Sequence, residues 1–430
     1  MNQTPINVIW LRRDLRIEDN TAIETASRQN LPILLLFIFD ESILNELPKD
    51  DARVNFIYKQ LEKINHGLAA HNSSLLIKKG EIQTIWKGLT KEYNIHTVFC
   101  AKDYEPYAIQ RDKLVSQLLS QSGTRFEQVK DQVIFEENDI LKADGTPYTV
   151  YTPYKNKWLE KFYQPRLIQK WKENNQAIYF QADYTFPSRT ELGFKQSNRS
   201  VKPFSLDQLK NYQDKRDYPG LDATSYLSPY LRFGSISIRQ VVDLANQVNQ
   251  TFLSELIWRE FFMQILYHFP RVVSESFKPK YDNIQWINNE GQFQNWCKGQ
   301  TGYPIVDAGM RQLNQTGYMH NRVRMVTASF LCKHLLIDWR WGEAYFASKL
   351  LDYELSSNNG NWQWAAGCGC DAAPYFRVFN PSIQLTKFDK DLEYVKKWIP
   401  ELLSGDYPTP IVDHSFSRLR AIEVYKAALQ

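Results

Sequence analysis

The sequence predicts an α/β domain with a doubly wound parallel sheet, then a long connector, then an all-helical domain. Three observations predict this. In the first 130 residues, short and nearly continuous apolar runs alternate with stretches of helical period, as strands covered on both faces require. From Leu206 onward strand signals nearly vanish, and apolar residues recur at three- and four-residue spacing. At 430 residues the chain is too long for one small core. The implied boundaries are 1–130, 131–203 and 204–430.

In the first domain Asn7–Trp10 is a strand and Pro32–Phe39 a second, with Ser74–Lys78 and Thr97–Ala101 after them. Between these, Asp51–Ala70 and Ile82–Tyr93 have helical period. Open parallel sheets bind ligands beyond the carboxyl ends of their strands. Leu11-Arg12-Arg13-Asp14-Leu15-Arg16, with Asp19-Asn20, stands at such an end. No G-x-G-x-x-G is present, so the dinucleotide fingerprint is absent. The plain reading of this charge cluster is a solvated loop with internal ion pairs. Residues 131–203 hold Gly145-Thr146-Pro147 and Thr152-Pro153-Tyr154 among many Lys, Asn and Gln, and read as a connector with some helix near Lys155–Lys172. In the last domain Leu253–Phe269 and Arg322–Leu336 read as helices, and Pro229, Pro270, Pro304, Pro374 and Pro381 punctuate it.

Composition excludes several classes. The chain is 43% hydrophobic and 23% charged, which is globular and soluble. A formal charge of +4 means that any nucleic-acid role needs a local basic patch. Five cysteines without framework spacing argue for a reducing compartment. Cys368 and Cys370 form C-x-C, and no second Cys/His pair completes a metal site. There is no signal-like N-terminus and no apolar stretch of membrane length. A cytoplasmic protein is expected.

The richest stretch runs from Asp352 to Pro381. It holds Asp352, Glu354, Asn358, Asn359, Trp362 and Trp364, then Tyr375, Phe376 and Arg377. It reads as a loop flooring a pocket for a flat aromatic ligand, or as a buried loop whose tryptophans are core. In Thr224-Ser225-Tyr226-Leu227-Ser228-Pro229-Tyr230, Ser228 reads as an N-cap with Pro229 first in the helix. That start is either an anion site or a plain cap. In Glu255–Phe262, Glu255 and Arg259 are spaced to pair, and Trp258 and Phe262 to share an aromatic edge. A surface ion pair above a core stripe serves equally well. In Tyr318–Met325, Asn321 and Arg324 share a helix face with Met325 beside them. A buried Arg324 needs an anionic partner, for which Asp352 and Glu354 are candidates. His320 reads as a structural histidine. Trp286, Trp339 and Trp362 read either as core or as a connected set.

Together these strings resemble the photolyase/cryptochrome family. The resemblance is carried by WLRRDLRIEDN, TSYLSPYLRFGSIS, ELIWREFF, TGYPIVDAGMRQLNQTGYMHNRVRMVTASFL, LSSNNGNWQWAAGCGCDAAPYFRVFNP and the tail Tyr407–His414, and spans essentially the whole chain. It implies an N-terminal antenna domain and a C-terminal helical domain that buries FAD. It implies that Tyr212, Thr224, Ser225, Tyr226, Leu227 and Ser228 hold the flavin's phosphates and adjacent groups. Phe252 stands where the family often has Trp against the cofactor. Asp352, Tyr353 and Glu354 are implied to contact FAD, with Arg324 paired to Asp352 and Asn358 facing the flavin's redox-active nitrogen. Trp362, Trp339 and Trp286 are the implied electron path. Glu255, Trp258, Arg259, Asn321, Arg322, Met325 and Trp364 are implied to line the lesion pocket, and Arg216 and Arg377 to touch DNA phosphates.

Within the family the resemblance favours repair of cyclobutane pyrimidine dimers, as in the microbial class I branch. Trp258 and Trp364 are the aromatics implied to flank a flipped dimer. MHNRVRM carries one His where enzymes for (6–4) photoproducts typically carry a second. The implied chemistry is electron transfer from light-excited, reduced FAD to the dimer, with Glu255 bonding the lesion. The implied partner is UV-damaged DNA, single- or double-stranded, read without sequence preference, and the expected state is a monomer. The rival reading is a blue-light photoreceptor that binds FAD and signals to a protein. Tyr107-Ala108 stands where folate-binding members often carry Asn-Glu. The antenna chromophore is therefore undecided between a deazaflavin, methenyltetrahydrofolate and none.

Overall fold

In a computed structural model, which describes residues 4–164 and 177–430, the chain packs as two compact units that interleave in sequence. One comprises the described residues of Met1–Asp139, Leu159–Pro203 and Leu227–Leu244. The other comprises Ile140–Trp158, Phe204–Tyr226 and Ala245–Gln430.

The first unit is built on a five-stranded parallel sheet: β1 (Ile6–Leu11), β2 (Ile33–Asp40), β3 (Leu76–Gly80), β4 (Ile95–Ala101) and β5 (Arg125–Val129), in the order β3-β2-β1-β4-β5. The four strands expected from the sequence are all present. β1 and β2 are buried at every residue, which is why they read as unbroken apolar runs. β5 carries no such signal. It is an edge strand paired to β4, and Arg125, Glu127 and Gln128 face solvent. Ala52–Ala69 and Ile82–Glu92 are helical, as their periodicity predicts.

The charged run after β1 is not the solvated loop expected of it. Arg13, Asp14 and Arg16 are buried. Arg12 pairs with Asp112, Arg13 with Asp103 and Glu105, and Arg16 with Asp131, which also takes Arg239. Each guanidinium leaves water only because a carboxylate meets it. Burial, reinforced by the nearby Asp131, pushes the Asp14 carboxyl up to about 6. Gly234, at φ +63°, lies so close to the Arg13 carbonyl that a Cβ there would overlap it.

The helix expected near Lys155–Lys172 is Tyr151–Phe162; residues 165–172 of that expectation lie outside the described residues. The second unit is helical throughout, without a strand among its described residues. Its core gathers Trp296, Leu313, Val323, Leu331, Trp339 and Trp362. The helix predicted over Leu253–Phe269 is Gln250–His268. The one predicted over Arg322–Leu336 is regular only over Asn321–Ser329 and widens to a π-helical turn over Phe330–His334. That turn buries Lys333, whose Nζ donates to the carbonyls of Ala366 (2.9 Å) and Tyr375 (3.2 Å).

Two local expectations are corrected. The stretch read as a loop after Asp352 contains a 12-residue helix, Leu355–Ala366, ending in Gly367 at φ +94°. Its Asn and Gly content speaks against helix, but packing decides. Gly360 meets the ring of Phe262 so closely that any Cβ would overlap it. Ser228 is not an N-cap: it opens the short helix Ser228–Arg232, and Leu227 occupies the cap.

Candidate functional site

The helix Leu355–Ala366 packs against Trp339–Lys349 and Asn321–Ser329, and these elements wall a cavity. The empty space there is about 610 Å³, part of it open solvent. Nine of its lining residues are ones the sequence singles out: Asn321, Arg324, Met325, Asp352, Tyr353, Glu354, Asn358, Trp362 and Trp364. Ala328, Phe346, Leu350, Ser357, Asn361 and Ala365 complete it. Sequence reasoning misses these six, most of them small or apolar residues that carry no chemical signature. The wall is largely apolar, and its few polar groups converge.

Arg324 donates from Nη2 to both Asp352 oxygens (3.0 and 3.2 Å) and from Nε to the Met319 carbonyl (2.8 Å). This is the pair the resemblance implies. Glu354 is buried and takes Arg259 Nη2 at 3.4 Å and the Ser357 hydroxyl at 3.1 Å. The Glu255–Arg259 pair expected from spacing does not form. Glu255 instead meets Arg216 at 2.5 Å, because Arg259 is drawn to Glu354. Burial pushes the Glu255 carboxyl up, and the Arg216 charge opposes the shift. Arg322 pairs with Asp217 at 2.7 Å and lies over the Phe388 ring.

Asn358 donates its amide to Glu343, at 3.1 Å to the backbone carbonyl and 2.8 Å to Oε1. Two acceptors on one side fix which end of the amide is nitrogen. The Asn358 oxygen is therefore the end offered to the cavity. Burial raises the Glu343 carboxyl. No sequence signal points to Glu343, which lies fifteen residues from Asn358 on another helix.

His320 is structural, as read from the sequence. Its Nδ1 accepts the backbone N–H of Arg322 at 3.2 Å and caps the helix Asn321–Ser329. Trp258 and Phe262 share an edge, with centroids 5.4 Å apart. Trp258 is also stacked on Tyr151 at 3.6 Å with planes 9° apart, a partner the sequence does not announce.

The three tryptophans are placed differently. Trp362 lines the cavity, and its ring neighbours are Trp296 (6.1 Å) and Phe346 (4.9 Å). Trp339 is buried, and Trp286 meets Tyr425 at 5.9 Å. The remaining predicted residues stand outside the cavity lining. Tyr212 and Phe252 meet edge to face at 5.0 Å. Tyr226, in a left-handed conformation at φ +52°, donates its hydroxyl to Asp222, and the Ser225 carbonyl accepts the Ser205 N–H. Thr224 is half-buried. Leu227 and Ser228 belong to the sheet unit. Arg377 is exposed beside Phe379.

Residues 252–405 match the FAD binding domain of DNA photolyase, and residues 7–184 match the DNA photolyase domain. A deoxyribodipyrimidine photo-lyase of Vibrio cholerae is 36% identical over 98% of this chain and 100% of its own length. A bacterial class III photolyase from Agrobacterium tumefaciens superposes with a TM-score of 0.88 at 33% identity, over 100% of this chain and 98% of that one. An archaeal photolyase from Sulfolobus tokodaii, whose crystal structure contains two FAD molecules, gives 0.85 at 32% identity, over 98% and 99%.

Proposed function

The chain belongs to the DNA photolyase family, and from that premise we infer that it uses light to repair cyclobutane pyrimidine dimers in DNA, with FAD as cofactor. The observation that carries the site assignment is the cavity in which the Arg324–Asp352 pair and the Asn358 oxygen converge on an apolar wall. That donor set fits a flat heteroaromatic group with a polar edge. When bound, reduced flavin supplies the light-driven electron, and the protein supplies binding, orientation and electrostatics.

Asp352, Tyr353, Glu354 and Arg324 hold the cofactor in this reading, and Asn358 presents a fixed acceptor to it. Tyr212, Thr224, Ser225, Tyr226, Leu227, Ser228 and Phe252 serve its phosphates and adjacent groups. Trp362, Trp339 and Trp286 carry electrons toward it. A dimer inside a duplex cannot reach a buried cofactor, so it must be flipped out at a few kcal/mol, less for a poorly stacked lesion. Trp258 and Trp364 offset that by stacking, about 1–3 kcal/mol per base. Tyr151 backs one face of Trp258 and holds the ring in place. Asn321, Arg322 and Met325 line the lesion side. Glu255, whose carboxyl is raised by burial, hydrogen-bonds the lesion's carbonyl groups. Arg259 fixes Glu354 from the same helix. Arg216 and Arg377 meet phosphates, which gives affinity without sequence readout.

The second chromophore stays undecided between a deazaflavin, methenyltetrahydrofolate and none, and the sheet unit is where we assign one. The protein works as a cytoplasmic monomer in this reading. Among the described residues no helix is long and apolar enough to cross a membrane. The test is an absorption spectrum of the purified chain, then illumination with a dimer-containing oligothymidylate under reducing conditions. Flavin bands with light-dependent recovery of thymine absorbance are expected. Flavin without repair turns the reading to a photoreceptor.

A further inference from the structure

We propose that Tyr151 and Asp371 form a brace that fixes Trp258 relative to Trp364, and that this brace sets how strongly the protein prefers a dimer over intact DNA. This rests on the reading that those two indoles flank the flipped lesion. The brace runs from one indole to the other. The Tyr151 ring lies flat on Trp258, with centroids 3.6 Å and planes 9° apart. The Tyr151 backbone N–H donates to the Asp371 carboxylate at 2.9 Å. Asp371 follows Trp364 by seven residues, and the chain between them is tightly wound. The N–H groups of Gly367, Cys368 and Gly369 all donate to the one carbonyl of Gln363, at 2.9, 3.0 and 3.1 Å. That turn carries the position of Trp364 on to Asp371.

The stacked pair is not one that two rings choose by themselves. Their quadrupoles favour offset or edge-to-face contact over a face-to-face sandwich. The other rings against Trp258 are inclined, Phe261 by 80° and Phe262 by 30°. Tyr151 is held flat by ties outside the pair. It is buried, and its hydroxyl donates to the Ser254 carbonyl at 2.6 Å, with the Ser254 hydroxyl 2.9 Å away. Asp371 holds the same residue by its backbone, at the start of the helix Tyr151–Phe162, where a negative charge is favoured. Trp258, by contrast, is only half-buried. An indole lying flat on a residue tied at both ends cannot pivot toward it, and the face it offers a base is the opposite one.

No bond is made or broken in this role. Tyr151 and Asp371 are positioning residues, which spare the flipped base the ordering of its platform. A base gains from stacking only what is left after the indole has been immobilised. Intact DNA keeps its bases in the duplex and draws nothing from the slot.

The experiment is equilibrium binding of the FAD-loaded full chain in the dark, to a thymine-dimer oligonucleotide and to the same sequence without the dimer, read as the ratio of the two affinities. Asp371→Ala is expected to lower that ratio roughly two- to tenfold. Asp371→Asn loses the same charge but keeps an oxygen for the Tyr151 N–H, and should recover most of the ratio. Equal ratios for the Ala and Asn variants overturn the brace. Tyr151→Leu removes the stacked ring and should act as Asp371→Ala does, while Tyr151→Phe keeps the ring and should recover most of the loss. Asp371 is half-buried on a loop, so its two variants carry the test even where Tyr151→Leu folds poorly. In a chain carrying Trp258→Ala, adding Asp371→Ala should lower the ratio no further; a second fall of the same size places the action of Asp371 elsewhere and overturns the proposal. A general structural fault lowers FAD content and both affinities together, and a ratio left unchanged in that way overturns it too. A parent chain without preference for the dimer overturns the repair reading itself, whereas a parent that prefers the dimer, with variants that match it, removes the brace alone.

Discussion

The Asn358 side chain is locked by Glu343: its amide donates to the Glu343 carbonyl at 3.1 Å and carboxyl at 2.8 Å, which turns its oxygen toward the cavity. Losing the carboxyl partner leaves a buried amide half satisfied and held by the backbone carbonyl alone. Glu343→Ala is therefore expected to lower stability by about 1–3 kcal/mol. It should also shift the bound flavin's spectrum and reduce repair yield. Glu343→Gln, which still offers a carbonyl oxygen, should recover much of the spectrum. The checks are denaturant titration and the spectrum of the loaded protein. Ala and Gln variants with identical spectra would show that Glu343 does not orient Asn358.

Gly342 lets the helix Trp339–Lys349 press against Trp362. A Cβ at that position would overlap the indole ring and also crowd Leu331. Gly342→Ala is expected to cost about 1–3 kcal/mol through overpacking, despite alanine's better helix propensity. Because the displaced ring lines the cavity, FAD content should fall with stability. An alanine variant as stable and as flavin-loaded as the parent would contradict this packing.

The same close packing explains what the sequence reveals and what it hides. β1 and β2 are legible because burial on both faces leaves an unbroken apolar run. β5 is hidden because an edge strand needs few apolar residues. The helix Leu355–Ala366 reads as a loop because Asn358, Asn359 and Gly360 oppose helix, and what favours it is packing against residues far away in sequence, Phe262 among them. The polar residues of the cavity are found because their types stand out. Their partners are harder. Arg324–Asp352 follows from the need to pair a partly buried charge, but Glu255–Arg259 fails because Glu354 competes for Arg259. Glu343 and Tyr151 are invisible, since nothing local marks a residue whose role is to hold another in place.

Arg377 is exposed and flanked by Phe379, so it can reach a phosphate without breaking an ion pair. Arg377→Ala is expected to weaken binding to all sequences alike. The slope of log affinity against log salt should fall by about one. Binding isotherms at several salt concentrations, with damaged oligonucleotides of different sequence, read this. A change in sequence preference, or an unchanged slope, would remove Arg377 from the phosphate contacts.

His320 contributes an acid-side dependence. Burial lowers it from 6.5 to about 4, and its Nδ1 must stay unprotonated to cap Arg322. Between those values the unfolded chain takes up a proton that the folded chain refuses. Stability therefore falls as pH drops from about 6.5 to about 4. Replacing it with Asn, a good cap that does not titrate, should remove that part of the slope while keeping the helix start. Urea midpoints at several pH values for both chains give the comparison.

Lys333 acts on the alkaline side, with the opposite charge logic. Its cation meets no carboxylate among the described residues; it is held by the carbonyls of Ala366 and Tyr375 and by the Tyr425 ring, 3.6 Å from Nζ. Burial lowers it from 10.5 to about 7. Above 7 the folded chain carries it neutral while the unfolded chain still holds the proton. Stability from this group thus rises with pH from about 7 toward 10.5, and the gain is absent below 7. The facing thiols of Cys332 and Cys368 and the phenols of Tyr281 and Tyr425 are all pushed up by burial, and they titrate in either variant. Lys333→Met keeps the volume and removes the charge. It strands two carbonyls, so its absolute stability can move either way, but the rise between pH 7 and 10 should flatten. Parallel slopes for the two chains across that window would mean that Lys333 stays charged in the folded protein.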